Sequence, residues 1–253
     1  TGGGQLYVGN SMTFENLRMS GDASALTAAN DATVTLKNPA ARLKTVSGYN
    51  TSDLVVDGGY LSGPTDDRIV TAFNQTIGST LSVTNCDIQA GQFTPGAFTM
   101  TGGKLTLRNA LAQIGTSSQI QSFVFNGGIL QLGDGNVSWD SQLKTVTNNA
   151  PYRSVSVGEN GLKIRVKNEG HYDLVSFGNI LSACSGATQD GGLSIDGFGL
   201  IRVDATNWEV TGPISFDGGN ITFAAPAFAA SGPVTLGTVL LKYNSSVVND
   251  IDL

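Results

Sequence analysis

One pattern of ten residues occurs twice in close succession, as FTMTGGKLTL at 98–107 and as FVFNGGILQL at 123–132. In both copies, apolar residues alternate with other residues on either side of a glycine pair. Alternation with a period of two is typical of half-buried strands, and paired glycines allow the positive φ angles or close backbone approach of a tight corner. This stretch therefore predicts that strands joined by glycine corners are the unit of the fold.

The same pattern recurs far from this stretch. LVVDGGYLSG at 54–63 precedes it, ISFDGGNITF at 214–223 follows it, and a shortened copy, DGGLSI, occupies 190–195. The first glycines of the successive pairs are Gly58, Gly102, Gly127, Gly191 and Gly218. From the intervals between them we predict a repeating unit of about 22–27 residues, which is the size of a solenoid coil.

A second pattern supports this period. VTLKN at 34–38, LSVTN at 81–85 and LTLRN at 105–109 all read apolar, hydroxyl, apolar, any residue, Asn, and their starts are separated first by about two units and then by one. Asparagine tolerates the left-handed backbone conformation of a strand end that bends, and stacked asparagines can bond to one another. A series of hairpins is the alternative, since Asp-Gly and Asn-Gly also suit hairpin turns. Hairpins, however, give no reason for two patterns to share one period.

The patterns divide the chain into three parts. Residues 1–150 are predicted to form solenoid coils, and NNAP at 148–151 marks a break where the pattern lapses. Residues 151–223 return to alternating strands and are predicted to form further coils. Residues 224–253 carry no copy and are expected to form a small β-rich cap or a truncated continuation.

Composition narrows the classes of partner. The chain has 33 glycines in 253 residues, its charged fraction is 13 %, about half the usual quarter, and its net charge is −6. An acidic chain with few cations is unsuited to phosphate backbones, so we expect no nucleic-acid partner. Cys86 and Cys184 are too few for a disulfide scaffold. We interpret them as isolated interior thiols, with a single bridge between them left open.

Residues 191–223 resemble the autotransporter-associated β-strand repeat of bacterial surface passengers and related secreted proteins. The pieces that carry the resemblance are GGLSI (191–195), GFGLIRV (197–203), NWEVTGPI (207–214) and DGGNITF (217–223). Ile201 and Arg202 depart from the small hydroxyl residues that the family favours. The resemblance implies a right-handed parallel β-helix and export to the cell surface or exterior, with membrane contact only through a barrel or anchor outside this sequence. It implies no chemistry.

Parallel β-helices also include polysaccharide lyases and hydrolases. The alternative function is therefore that of a carbohydrate-active enzyme on the same scaffold. Glycoside hydrolysis needs two carboxylates across one bond, and the acidic pair Asp66 and Asp67 supplies the candidate catalytic residues. The interrupted NTSD at 50–53 and RVK at 165–167 fit the polygalacturonase-type family in neither order nor spacing. We interpret the pair as an acidic turn after Gly63 and favour a non-catalytic chain.

No cofactor or metal is expected from the sequence. The single histidine, His171, excludes any site that needs two, and no phosphate-binding loop or serine-nucleophile motif occurs. Aromatic residues at strand ends or in loops are candidate ligand contacts because their faces stack on sugars. These candidates are Tyr49, Tyr60, Trp139 and Tyr152.

Together these observations predict a secreted or surface-displayed bacterial β-helix segment that serves as a structural stalk or adhesive surface. Its solvent-facing Thr, Ser and Asn side chains would form a broad polar wall suited to weak, multivalent contacts. The expected partners are glycans or surface proteins.

Overall fold

The computed structural model describes residues 4–21, 23–49, 51–63, 69–73, 80–93, 96–107, 121–132, 153–166, 174–177, 180–197, 200–203, 207–223, 227–241 and 250–251. Within these ranges the chain is all-β, with twenty-nine strands and no helix. The strands of the first half are β1 (Gln5–Val8), β2 (Met12–Glu15), β3 (Arg18–Met19), β4 (Ala25–Ala28), β5 (Thr33–Lys37), β6 (Ala40–Arg42), β7 (Thr45–Gly48), β8 (Asp53–Asp57), β9 (Tyr60–Ser62), β10 (Ile69–Phe73), β11 (Thr80–Thr84), β12 (Asp87–Phe93), β13 (Ala97–Thr101), β14 (Lys104–Leu107), β15 (Gln121–Phe125) and β16 (Ile129–Leu132). The remaining strands are β17 (Arg153–Val157), β18 (Leu162–Val166), β19 (Leu174–Phe177), β20 (Ile180–Ser182), β21 (Leu193–Gly197), β22 (Leu200–Val203), β23 (Asn207–Trp208), β24 (Ile214–Asp217), β25 (Asn220–Phe223), β26 (Ala227–Ala230), β27 (Val234–Leu236), β28 (Leu240–Leu241) and β29 (Asp250–Ile251).

Every strand pair in the described part of the chain is parallel. We name the three long series of paired strands by their order along the chain. Stack 1 is β1-β4-β7-β10-β12, stack 2 is β2-β5-β8-β11-β13-β15-β17-β20, and stack 3 is β3-β6-β9-β12-β14-β16-β18-β21-β24-β27. Two shorter series are β19-β22-β25-β28 and β23-β26-β29.

The chain visits the three stacks in a repeating order. From β1 to β9 it passes through stacks 1, 2 and 3 three times in succession. Strand β12 belongs to two stacks, since its first residues pair with β9 while Ala90, Gln92 and Phe93 pair with β10. Long series of parallel strands that the chain revisits in a repeating order fit a β-solenoid, in agreement with the prediction from the two sequence patterns.

In many of the strands, alternate residues are buried and form the core. In β5, Val34 and Leu36 are fully buried, whereas Lys37 at the end of the strand is exposed. Because parallel strands are in register, apolar residues stack on apolar residues from coil to coil, and burying each one stabilises the fold by about 1.5–3 kcal/mol. One such column of buried residues in stack 2 consists of Val34, Leu54, Leu81, Phe98, Phe123, Val155 and Ile180.

The predicted corners are confirmed. Both glycines have positive φ angles in the pairs that begin at Gly58, Gly102, Gly127 and Gly218, whereas in the pair that begins at Gly191 only the second glycine does. Asn38 and Asn85, which end two of the asparagine patterns, both have φ of 48°, and the third, Asn109, lies outside the described residues. Stacking of asparagines is also present, since Asn38 Nδ2 donates a hydrogen bond of 2.8 Å to Asn16 Oδ1.

The predicted range of coil lengths is too narrow. Thr80 pairs with Ala97, which is a shorter step along the chain than the predicted unit, whereas Ile129 pairs with Lys163, which is a longer one. Coils therefore differ in how much chain they place at their corners. The described ranges leave out the segment between β16 and β17, so the predicted boundary near residue 150 stays a prediction.

The copy of the pattern at 214–223 lies at a different corner from the others. The pairs at Gly58, Gly102 and Gly127 each follow a strand of stack 2, but Gly218 follows β24 of stack 3. The interval from Gly191 to Gly218 is therefore longer than one coil, since Leu193, just after Gly191, already pairs with Ile214 in the next coil. A strand-corner-strand pattern identifies a corner without identifying which corner it is.

Candidate functional site

The predicted site residues fall partly within the described ranges. Tyr49 and Tyr60 are 44 % and 40 % exposed. They flank β8, a five-residue strand, which at about 3.3 Å per residue is roughly 16 Å long, so the two residues are not brought together. The candidates that lie outside the described residues are Asp66, Asp67, Trp139 and Tyr152.

The charged side chains of a cluster on stack 3 form ion pairs with one another. Lys163 Nζ lies 2.7 Å from Asp196 Oδ2, and Arg165 Nε lies 3.2 Å from Asp196 Oδ1. Burial alone would raise the pKa of Asp196, but hydrogen bonds and charge from Lys163 and Arg165 outweigh it and lower the pKa. A general acid needs a carboxyl group that stays protonated near the working pH, so this cluster stabilises neighbouring strands and is unsuited to proton donation.

A second carboxylate, Asp190, is buried at the corner before β21. Its Oδ1 accepts hydrogen bonds from the backbone N–H groups of Gly192 and Gly212, and its Oδ2 accepts from the N–H and hydroxyl of Thr211, at distances of 2.8–3.1 Å. Burial opposes ionisation, but hydrogen bonds from Ser182, Thr211 and Gly212 outweigh it and lower the pKa of Asp190 to about 2. Three of the four bonds, those from Thr211 and Gly212, come from the next coil, and the fourth stays within the corner, so the role of this residue is structural.

A groove of about 450 Å³ lies on the outward side of stack 2. Its floor is formed by side chains of β13 and β15 that point away from the core. Its wall is formed by the turn after β17 and by the segment 183–188 between β20 and β21. The residues that supply these surfaces include Thr99, Thr101, Val124, Asn126, Glu159, Ala183, Cys184, Ser185 and Thr188.

The polar groups of this groove are largely uncommitted. Asn126 Oδ1 accepts a hydrogen bond of 2.9 Å from the backbone N–H of Asn160, which holds the amide in place. Within the part of the chain that the structure describes, the side chains of Thr99, Thr101 and Glu159 have no hydrogen bond or ion pair to another side chain. They are therefore able to bind a ligand without breaking an internal contact.

The sequence does not point to these groove residues. Thr99 and Thr101 occupy the outward positions of a strand pattern, and Glu159 lies in a turn, so each is indistinguishable in sequence from any solvent-facing residue. The groove exists because the segment 183–188 lies beside strands β13 and β15, which come much earlier in the chain. That long-range proximity has no local sequence signal.

A smaller groove of about 300 Å³ follows the corner glycines beside stack 3. Gly128, Gly161 and Gly192 contribute to it, and Lys163 is the charged residue on its edge. Because the Lys163 ammonium is already paired with Asp196, this groove offers a ligand fewer uncommitted polar groups than the groove on stack 2.

The two cysteines are free thiols in different environments. Burial, together with the charge of Asp87, raises the pKa of Cys86 to about 12, whereas Cys184 is half-buried on the wall of the groove. Because the thiolate is the reactive form, we expect iodoacetamide at neutral pH to modify Cys184 and to spare Cys86 in the folded chain. Peptide mass spectrometry measures both rates, and equal rates would contradict the burial of Cys86. In urea both thiols should react.

Within the described ranges, no three His, Cys, Asp or Glu side chains are grouped so that they could hold a metal ion. None of the described residues belongs to a helix long and apolar enough to cross a membrane. The chain matches no family model, no curated protein and no solved structure. A functional assignment therefore depends on the physical properties of the stacks and the groove.

Proposed function

We propose that the chain is a segment of a right-handed parallel β-helix with a structural and adhesive role, secreted or displayed at a bacterial cell surface. The observation that carries the proposal is the length of stack 3, in which ten strands from β3 to β27 follow one another. At about 4.8 Å per strand, these strands span roughly 43 Å. A stiff, elongated body of this kind suits a stalk.

The mechanism is physical. Each coil buries its own column of apolar side chains and pairs with its neighbours, so that stability adds coil by coil. The outward positions of stack 2 carry mainly hydroxyl side chains, among them Thr35, Ser82, Thr99 and Ser156. Such a wall supports weak contacts that become strong when many copies act together, and glycans or surface proteins are the proposed partners.

Two of the described carboxylates are unsuited to acid catalysis, which supports a non-catalytic role. The pKa values of Asp190 and Asp196 are both lowered, whereas an acid catalyst in a glycosidase needs a raised pKa. The enzyme alternative depends on Asp66 and Asp67, which lie outside the described residues.

A comparison of binding with turnover tests the adhesive role. We expect the purified chain, coupled to beads at increasing density, to be retained on glycan or cell surfaces increasingly with density, and to leave polysaccharides intact. Release of reducing ends or unsaturated sugars, abolished by Asp66→Asn or Asp67→Asn, would instead identify an enzyme. Display is tested separately: antibodies against the chain should label intact cells of the source organism, and labelling only after permeabilisation would refute export.

A further inference from the structure

We infer that the groove on stack 2 is a binding site for an uncharged saccharide that presents two adjacent hydroxyl groups. This inference rests on the proposed adhesive function and adds to it a site and a class of ligand. The groove, at about 450 Å³, falls in the range of roughly 300–1,000 Å³ that is usual for small-molecule sites. It is open along one side, which suits a short portion of a longer glycan.

The polar groups of the groove are complementary to a ligand that both donates and accepts hydrogen bonds. The Glu159 carboxylate only accepts, and its two oxygens match a pair of neighbouring hydroxyl donors. The Asn126 amide is held through Oδ1, which leaves its NH₂ group as a donor. The hydroxyls of Thr99 and Thr101 can act in either sense. Adjacent sugar hydroxyls satisfy all of these groups.

The charges at the groove favour a neutral saccharide over an acidic one. Glu159 is the carboxylate among the described residues that line the groove, and these include no Lys or Arg. The whole chain carries a net charge of −6. A sugar carboxylate or sulfate would therefore meet repulsion without a compensating cation, and an uncharged ligand is favoured.

The floor also provides a small apolar surface. Val124 is half-buried beside Thr99, its partner on the neighbouring strand, and Ala183 lies on the opposite wall. The C–H face of a sugar ring can pack on these side chains. Because no aromatic ring is among the described residues of the groove, we expect affinity in the millimolar range that depends on valency.

Several polar groups elsewhere on the outward faces are paired with one another. Lys37 Nζ lies 3.7 Å from Glu15 Oε1, the Thr80 hydroxyl donates a hydrogen bond to Asp53 Oδ1, and the hydroxyls of Thr27 and Ser47 are 3.1 Å apart. The groove differs from these ladders because its unpaired polar groups line a single concavity, which is why we place the ligand here.

Binding of neutral oligosaccharides to the full chain tests this inference. The probes are linear trisaccharides of glucose, mannose and galactose, each compared with the uronic acid of the same sugar, and the measurement is saturation-transfer NMR with titration. We expect at least one neutral probe to bind more tightly than its acidic counterpart. Bound saccharide should also slow alkylation of Cys184, which lies on the groove wall.

Variants locate the binding site. We expect Glu159→Gln to weaken binding by roughly tenfold or more and Thr99→Val by about fivefold, in line with loss of a charged and a neutral hydrogen bond. Thr35→Val makes the same chemical change on the same side of stack 2, away from the groove, and should leave affinity within about twofold. Circular dichroism of each variant confirms that the fold is retained.

The outcomes distinguish the two proposals. Unchanged affinity in Glu159→Gln and Thr99→Val, with binding by the parent chain, would overturn the groove assignment and leave the adhesive role intact. Tighter binding of the uronic acids would overturn the choice of a neutral ligand. If no neutral probe bound, the groove inference would be wrong, whereas retention on cell surfaces would still test adhesion through a protein partner.

Discussion

Gly103→Ala is expected to destabilise the chain by roughly 3 kcal/mol or more, since it combines left-handed strain with overpacking. Gly103 has a φ of +78°, which side chains rarely adopt. In addition, a Cβ atom at this position would lie 2.6 Å from the backbone N of Cys86 in the preceding coil, and closer still to its carbonyl oxygen. That oxygen accepts the hydrogen bond from Lys104 N at 3.1 Å, so it cannot move away without weakening the pairing of β12 and β14.

Gly186 provides the matched control. Its φ is +69°, close to that of Gly103, but no atom lies within 4 Å of the position that a Cβ would take. Gly186→Ala should therefore show the backbone strain alone, about 1–2 kcal/mol, offset in part by the reduced freedom of the unfolded chain. Urea unfolding followed by circular dichroism measures both variants. Equal losses of stability would show that the contact between coils at Gly103 contributes nothing.

The corner at Gly103 also shows what local sequence encodes. Glycine pairs between alternating runs predict positive φ angles, and these occur at Gly58, Gly102, Gly127 and Gly218. The prediction succeeds because a corner of two residues has a conformational requirement that glycine and asparagine meet better than other residues. That requirement does not depend on which strands lie nearby.

Register along the stacks is less accessible from sequence. The interval between the pairs at Gly58 and Gly102 contains two coils of unequal length, and Asn85, with a φ of 48°, takes the place of a glycine at the corner between them. Asp57, Thr84 and Thr101 pair in register, so the residues that follow them, Gly58, Asn85 and Gly102, occupy equivalent corners. Asparagine occupies this corner in one coil and glycine occupies it in the neighbouring coils, which is why counting glycines alone gives an incorrect coil length.

The groove could not be predicted for a different reason. Outward residues of a strand are identified in sequence only by alternation, which says that they face solvent and nothing about what lies beside them. Thr99 and Cys184 are far apart in the chain yet border the same groove. Aromatic residues are recognisable ligand-binding candidates in a sequence because their chemistry is distinctive. The groove is instead lined by small polar side chains, which can bind a ligand only because the fold brings them close together.

Removal of the Asp190 carboxylate is expected to be the second large effect. Asp190→Asn should cost about 3–5 kcal/mol, because hydrogen bonds to a charged acceptor contribute roughly 1.5–3 kcal/mol each and the amide would direct N–H donors at the backbone N–H donors of Gly212 or Thr211. Urea unfolding measures the loss. Faster amide hydrogen exchange at Gly192, Thr211 and Gly212 would locate it at this corner.

Asp217→Asn is the matched control, because Asp217 also precedes a glycine pair. Asp217 is exposed, and the hydrogen bond that its Oδ1 accepts from Thr238 N is 3.4 Å long. We expect this substitution to change stability by less than about 0.5 kcal/mol. A comparable loss in both variants would mean that the Asp-Gly-Gly sequence matters and the buried network at Asp190 does not.

The pH dependence of the Asp190 contribution follows from the direction of its pKa shift. In the folded chain the pKa of Asp190 is about 2, and in the unfolded chain it is close to the ordinary value of about 3.9. Between these values the unfolded state binds the proton more readily, so the stabilisation is complete above about pH 5 and is lost as the pH falls through about 4 towards 2. Asp196, whose pKa is also lowered, contributes in the same sense to both the parent chain and Asp190→Asn. The difference in unfolding free energy between these two proteins should therefore shrink on acidification, and a constant difference from pH 6 to about pH 2 would show that the ionised carboxylate is not what joins the two coils.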